Sequence, residues 1–312
     1  MRDDTVTLAR SITWANSKQT YYTARFMVDR NLIDDFYRAY AYFRWADDII
    51  DTSDQSERER VLFVERQKGL IDRLYQGERP EELSPEERVL ATLISHDKRV
   101  QSGLESFVRN MLAIMNFDVY RRGRFISQQE LAWYSDCLAR SVTDGLQYFI
   151  GNGYPYPDCE DRCLAAKAAH ITHLLRDMLA DTANGFINIP REYLEAHHIG
   201  PDDVDSPAVR AWVRERVKQA RQYFRQGKHY LDRLNVLRCK IAGYWYCARF
   251  EGVLATIESD GYRLRAAYNE RRKRSAWIRI ALLALSVSLQ HLSKAGASVA
   301  DRDRSLGDTT DP

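Results

Sequence analysis

Helix breakers are scarce in this sequence, with 8 prolines and 15 glycines in 312 residues. That scarcity excludes collagen-like and Pro-rich chains, and it suits long helices. Cysteine is sparse too: 5 residues with no CxxC pair. Cys159 and Cys163 lie four apart but have no His or Cys partners at zinc-finger spacing, which excludes a zinc ribbon or a disulfide scaffold. An odd cysteine count without a signal peptide points to a reducing, cytoplasmic setting. The formal charge is only +2, so no whole-chain field argues for a nucleic-acid partner. No apolar run is long enough to span a bilayer. The stretch Trp277 to Leu292 is interrupted by Arg279 and falls short of the roughly 20 residues required. It reads as a buried terminal helix, although the basic run Arg271-Arg272-Lys273-Arg274 before it leaves peripheral contact with anionic lipid open. Alternating β patterns, internal repeats and Gly/Ser linkers are also missing.

What is present is helical periodicity with marked starts. Ser84-Pro85-Glu86-Glu87 combines an N-cap serine, proline at the first helical position and glutamate at N3. Ser127-Gln128-Gln129-Glu130 repeats the capping box, and Ser206-Pro207 opens a further helix. The pattern predicts helices over 29–52, 55–76, 84–96, 102–122, 127–151, 158–184, 206–234, 238–260 and 263–293. One all-α domain over 1–293 is the economical reading, followed by a polar, disordered tail over 294–312. At 45% hydrophobic and 29% charged residues, the composition is that of a globular chain with a substantial core.

Two acidic clusters sit about 130 residues apart. The first is Asp47-Asp48-Ile49-Ile50-Asp51, running out of Tyr40-Ala41-Tyr42-Phe43-Arg44-Trp45. The second is Asp177-Met178-Leu179-Ala180-Asp181, preceded by His170-Ile171-Thr172-His173-Leu174-Leu175-Arg176. Aspartates at i and i+4 project from one face of a helix. Two such faces opposed across an apolar interior would repel unless a cation lay between them. Hard oxygen ligands suit Mg²⁺, which keeps several waters and pairs a few carboxylates with substrate phosphates. The pattern therefore predicts a helical enzyme that grips a diphosphate through magnesium.

These residues resemble the squalene/phytoene synthase family, the head-to-head branch of the trans-isoprenyl diphosphate synthases. Thr20-Tyr21-Tyr22-Thr23-Ala24-Arg25 through Asp51 is similar to that family's substrate-entry segment and first Asp-rich motif. Leu175-Arg176-Asp177 through Asp181, with Ile189-Pro190 following, is similar to its second motif. Tyr134-Ser135-Asp136-Cys137-Leu138-Ala139 matches the helix that carries a family tyrosine. The resemblance implies a single-domain, isoprenoid-synthase-like helical bundle with a central hydrophobic cavity and an isoprenyl diphosphate substrate. It implies that Asp47, Asp48, Asp51, Asp177 and Asp181 hold Mg²⁺ against the diphosphate. Arg44 and Arg176 would neutralise phosphate oxygens, with Lys18, Thr20 and Tyr40 lining the same pocket. Tyr22, Phe43, Tyr134 and Leu138 would wall the space in which an allylic cation is kept from water.

Departures from the family pattern bear on the reaction. His170 and His173 replace the usual Gln and Asn before the second motif. Asn188 and Phe250 replace tyrosines, and Arg140 and Thr143 replace a glycine-containing kink. At i, i+3 and i+7, His170, His173 and Asp177 share one helical face, which leaves a transition-metal set open beside the reading of them as polar pocket residues. A neutral His170 could also act as the base that ends a carbocation cascade. Because the replaced residues belong to the two-substrate pathway, the expectation is a single-substrate terpene synthase acting on a farnesyl- or geranylgeranyl-class diphosphate. The alternative is head-to-head condensation of two isoprenyl diphosphates. A non-enzymatic assembly factor is the weakest reading, since both Asp pairs are intact.

Overall fold

The fold is known from a computed structural model, which describes residues 4–51, 55–99, 101–268 and Val287. Most of the expected last helix, the basic run at Arg271–Arg274 and the tail over 294–312 lie outside the described residues. Residues 263–268 are described and carry no helix.

Among the described residues the secondary structure is helical and strand-free. The order is α1 (Asp4–Asn16), α2 (Lys18–Met27), α3 (Ile33–Asp51), α4 (Glu57–Tyr75), α5 (Pro85–His96), α6 (Gly103–Arg121), α7 (Gln128–Phe149), α8 (Leu164–Ala183), α9 (Arg191–His197), α10 (Pro207–Asp232) and α11 (Leu237–Ser259). Turns of 3₁₀ helix at Arg30–Leu32 and Glu160–Cys163 lead into α3 and α8. These turns split two stretches that periodicity alone joins into single helices. The expected cap serines behave as local chemistry dictates. Ser84 and Ser127 each accept from the N3 amide, while Glu87 and Glu130 accept from the cap amides in return. Ser206 caps α10 by accepting from the Val209 amide. Three helices were not anticipated. The buried residues of α1 are only Ala9 and Thr13, and α9 is a single short element, so neither writes an apolar stripe. α2 packs its small Ala24 inward and shows aromatics outward.

The helices share one core, in which α6 packs on α7, α7 on α8, α8 on α10 and α11, and α3 on α1 and α5. Gly227 permits the closest of these approaches: a Cβ there would lie 2.4 Å from the Ala165 amide nitrogen, so α10 and the start of α8 touch backbone to backbone. A narrow, mostly apolar cavity of about 50 Å³ lies between α7, α8, α10 and α11, lined by Val142, Leu146, Ala166, Leu231, Ala242 and Tyr246 among others. Its wall continues the i, i+4 stripe Tyr134, Leu138, Val142 and Leu146 along α7.

Candidate active site

The last turns of α3 carry the first acidic cluster. Arg44 donates from Nε to Asp48 at 3.2 Å and from Nη1 to Asp47 at 3.4 Å, one turn along the helix. Tyr40 sits beside Arg44 and Ser17, and burial raises its hydroxyl above the ordinary value. Burial, reinforced by the Asp51 and Asp118 carboxylates, pushes Asp47 up to about 6 despite Arg44. Asp51 is also raised by burial, against the pull of Arg122 and Arg44.

The second cluster is built on α8. Arg176 grips the neighbouring Asp177 through Nε at 2.6 Å and through Nη2 at 2.5 Å, and His173 Nε2 lies 2.7 Å from the same carboxylate. Burial works to raise Asp177, but the bonds from Arg176 and His173 outweigh it and hold the group well below the usual carboxylate range. Asp181 lacks an arginine of its own; burial and the Asp177 charge push it up to about 6.

Between the two clusters stands α6, with residues that the sequence reading missed. Asp118 accepts from Tyr134 Oη at 3.1 Å and from Arg121 Nε at 2.5 Å. Arg121 donates onward to Asn188 Oδ1 at 2.8 Å, and Asn188 Nδ2 donates to Asp181 at 2.8 Å. Asp118 in turn adds to the charge felt by Asp47, and Asp51 to that felt by Asp118. Hydrogen bonds thus run from α6 through Asn188 to α8, while the carboxylates of α3 and α6 face each other as like charges. Burial raises Asp118, with Arg121 and Tyr134 opposing. Buried Tyr134 is pushed well above its ordinary value and stays a donor. The Arg121 guanidinium lies over Tyr134 and Phe186, at 4.7 and 5.0 Å from the ring centroids. The available signal was an Asp and an Arg at i, i+3 at the end of an apolar helix, a pair that reads as ordinary surface charge.

The structure places the remaining candidates unevenly. His170 is buried, its ring 5.1 Å from that of Tyr134, and its Nδ1 has no hydrogen-bond partner. Burial, with His173 and nearby cations, drives its pKa well below the ordinary value, so the ring is neutral. Asn188 is buried within the network. Thr20 bonds Ser17 Oγ at 2.7 Å at the start of α2, near Tyr40. Phe43 is core, meeting Phe107 edge-on at 5.1 Å, and Leu138 packs against the core from α7. Three candidates lie apart from the acidic network. Tyr22 is 45% exposed and stacks on Phe26, because α2 turns Ala24 rather than its aromatics inward. Lys18 is exposed with Nζ 5.2 Å above the Trp14 ring, so its charge is drawn to the outer aromatics. Phe250 is buried core against Tyr246 on α11, with no bond to the acidic network. Among the described residues, no three His, Cys, Asp or Glu side chains gather into a preformed metal-holding group, and this holds for the His170–His173–Asp177 set and for the two Asp clusters alike.

The comparisons with known proteins accord with this geometry. The squalene/phytoene synthase family model matches residues 15–278, a stretch that includes both acidic clusters and the α6 bridge. The chain is 28% identical over 199 residues to a 15-cis-phytoene synthase of Synechocystis sp., covering 57% of this chain and 58% of that relative's length. Among solved structures, the squalene synthase HpnC of Alicyclobacillus acidocaldarius superposes with a TM-score of 0.65 at 20% identity, covering 84% of this chain and 96% of its own. A ligand-bound dehydrosqualene synthase superposes at 0.67 with 16% identity, covering 93% and 97%. At those identities the structural likeness speaks for the isoprenoid-synthase helical fold.

Proposed function

The chain belongs to the squalene/phytoene synthase family, and from that premise we propose that it condenses two allylic isoprenyl diphosphates head to head into a squalene- or phytoene-type product. The observation that carries this reading is the α6 network, Asp118–Arg121–Asn188–Asp181, which bonds α6 to the second acidic helix and brings Asp118 within electrostatic reach of Asp47 and Asp51 of the first, all inside the matched region. The one-substrate expectation gives way here. It rested on four replaced residues, but Asn188 keeps a buried polar role between Arg121 and Asp181, and His173 keeps one on Asp177. The relatives are also named as a phytoene synthase and a squalene synthase.

The Asp clusters are not gathered into a preformed cage, but the chemistry of their donors suits a divalent cation such as Mg²⁺ held together with substrate phosphates. Asp47, Asp51 and Asp181 are carboxylates raised by burial and by neighbouring carboxylates, and hard oxygen donors of this kind bind magnesium. Asp47, Asp51, Asp177 and Asp181 would hold it, with Asp48 beside them on Arg44. Bound there, the cation supplies charge neutralisation for a departing diphosphate. The chain's own residues do the rest. Arg44 and Arg176, each already oriented by aspartate, offer guanidinium charge to phosphate oxygens. Tyr134, kept protonated and fixed by Asp118, would lend its ring to the wall that keeps an allylic cation from water. His170, neutral and with a free Nδ1, can accept the proton released when the two isoprenoid units join. The tail would follow the α7 stripe Tyr134, Leu138, Val142 and Leu146 toward the apolar cavity that Val142 and Leu146 line. We treat 1–293 as one domain, since the described helices α1 to α11 share one core. Incubation of pure protein with magnesium and single allylic diphosphates, followed by mass analysis of the hydrocarbon, tests the reading. A product of doubled carbon number is expected, and a product of unchanged carbon number overturns it.

A further inference from the structure

The outer side of the α1–α2 hairpin carries features that the reaction does not use. Trp14, Tyr22 and Phe26 are 44%, 45% and 64% exposed. They are not scattered: Trp14 meets Tyr22 at 6.2 Å, and Tyr22 stacks on Phe26 at 6.3 Å with 15° between the ring planes. Lys18, Tyr22 and Phe26 stand at i, i+4 and i+8, one stripe of α2, and the end of α1 adds Trp14 to it. Contiguous exposed rings of this kind mark an interaction surface.

Next to the rings lie two clefts of about 620 and 200 Å³ that share Arg25 and Arg30 as lining residues. Phe26 lines the larger cleft, so rings and guanidiniums form one surface. The carboxylates in the clefts are already paired: Asp29 with Arg238 at 2.5 Å, and Asp34 with Arg10 at 2.6 Å. Arg25 and Arg30 have neither an ion pair nor a hydrogen bond from their side chains among the described residues. Two unpaired guanidiniums beside a row of exposed rings need an occupant that is anionic and apolar together.

We propose that this face docks the enzyme on a bilayer containing anionic phospholipid, with Trp14, Tyr22 and Phe26 in the headgroup zone and Arg25 and Arg30 on lipid phosphates. Tryptophan and tyrosine favour that zone because their rings are apolar at one end and polar at the other. Basic residues near such a surface add attraction to anionic lipid. A second copy of the chain is the poorer occupant, because a two-fold contact would set Arg25 and Arg30 against their own equivalents. The place in the fold also suits the chemistry. The inner end of α2 lies at Ser17 and Thr20, beside Tyr40 and Arg44, so the docking face is one helix away from the site. This location matters under the proposed function because both substrate tails and product are apolar, but the docking itself does not depend on which reaction occurs.

The test is co-sedimentation of the full chain with phosphatidylcholine vesicles, with and without phosphatidylglycerol. Binding is expected only with the anionic lipid, falling as salt rises. Arg25→Gln/Arg30→Gln should weaken partitioning about 25-fold, or about fivefold per arginine. Trp14→Ser/Phe26→Ser should weaken it about tenfold or more. Unchanged circular dichroism and thermal unfolding would show that the variants fold. Neutralising Arg271, Arg272, Lys273 and Arg274 serves as the comparator and should change partitioning less than about twofold, since this face supplies the contact. The proposal is overturned if the wild type ignores anionic vesicles, or if both α1–α2 variants bind as it does. It is also overturned if only the comparator loses binding. No outcome depends on turnover, so failure here is separate from failure of the proposed reaction.

Discussion

Replacing Arg121 by Met would test how α6 is held to the second acidic helix. The change deletes the 2.5 Å contact to Asp118 and the 2.8 Å hydrogen bond to Asn188, and leaves an unbranched side chain in place of the arginine stem. Removing one partner of a buried ion pair costs about 3 to 5 kcal/mol. The Asp118 side chain keeps 22% of its surface exposed, so water softens the loss, and about 2 to 3 kcal/mol is expected in urea unfolding at neutral pH. The pH dependence gives the argument a sign. Burial already raises Asp118, and without Arg121 it rises further above its unfolded value. The native variant then holds a proton that the unfolded chain has released, so stability relative to wild type falls as pH rises and recovers toward about pH 4. Adding Asp118→Asn removes the stranded charge and should restore at least half of the loss. If Arg121→Met costs the same at both ends of that pH range, or Asp118→Asn restores nothing, the bridge is not what joins α6 to the site.

Three further outcomes follow from the same contacts. Asp47 and Asp181, raised to about 6, should make divalent-cation affinity fall by about tenfold per carboxylate for each pH unit below that value, as calorimetric titration with Mg²⁺ would measure. In the cation-free protein these same raised values make stability decline as pH climbs from about 4 to about 6, since the native state holds more protons there. Asp177→Asn should lower turnover at least a hundredfold or so while leaving the helical circular dichroism unchanged, because the lost charge acts on the departing diphosphate. Gly227→Ala should cost about 1 to 3 kcal/mol in unfolding, since the new Cβ meets Ala165 backbone rather than a side chain that can turn away.

The parts of this protein that were legible in its sequence are those written locally. Ser84 with Glu87 and Ser127 with Glu130 announce helix starts because each serine and glutamate satisfies amides within its own first turn. Asp47 with Asp51, and Asp177 with Asp181, announce a site because their spacing sets them on one helical face. α1 was missed because its buried positions are small or polar, Ala9 and Thr13. Asp118 and Arg121 were missed because their meaning comes from Asn188, 67 residues away in the chain. The preference for one substrate went astray for a related reason. It read Asn188 as a lost tyrosine, whereas in the folded chain that amide is a link between Arg121 and Asp181. Residue identity showed a substitution; only the contacts showed that a polar role was kept.

A crossed-label incubation tests the central claim most directly. An equal mixture of deuterated and unlabelled allylic diphosphate would be turned over by the pure protein with magnesium, and the hydrocarbon examined by mass spectrometry. Two-substrate condensation predicts three products of doubled carbon number: unlabelled, half-labelled and fully labelled, with the half-labelled species the most abundant. Products of the original carbon number, labelled or unlabelled but never mixed, would contradict it.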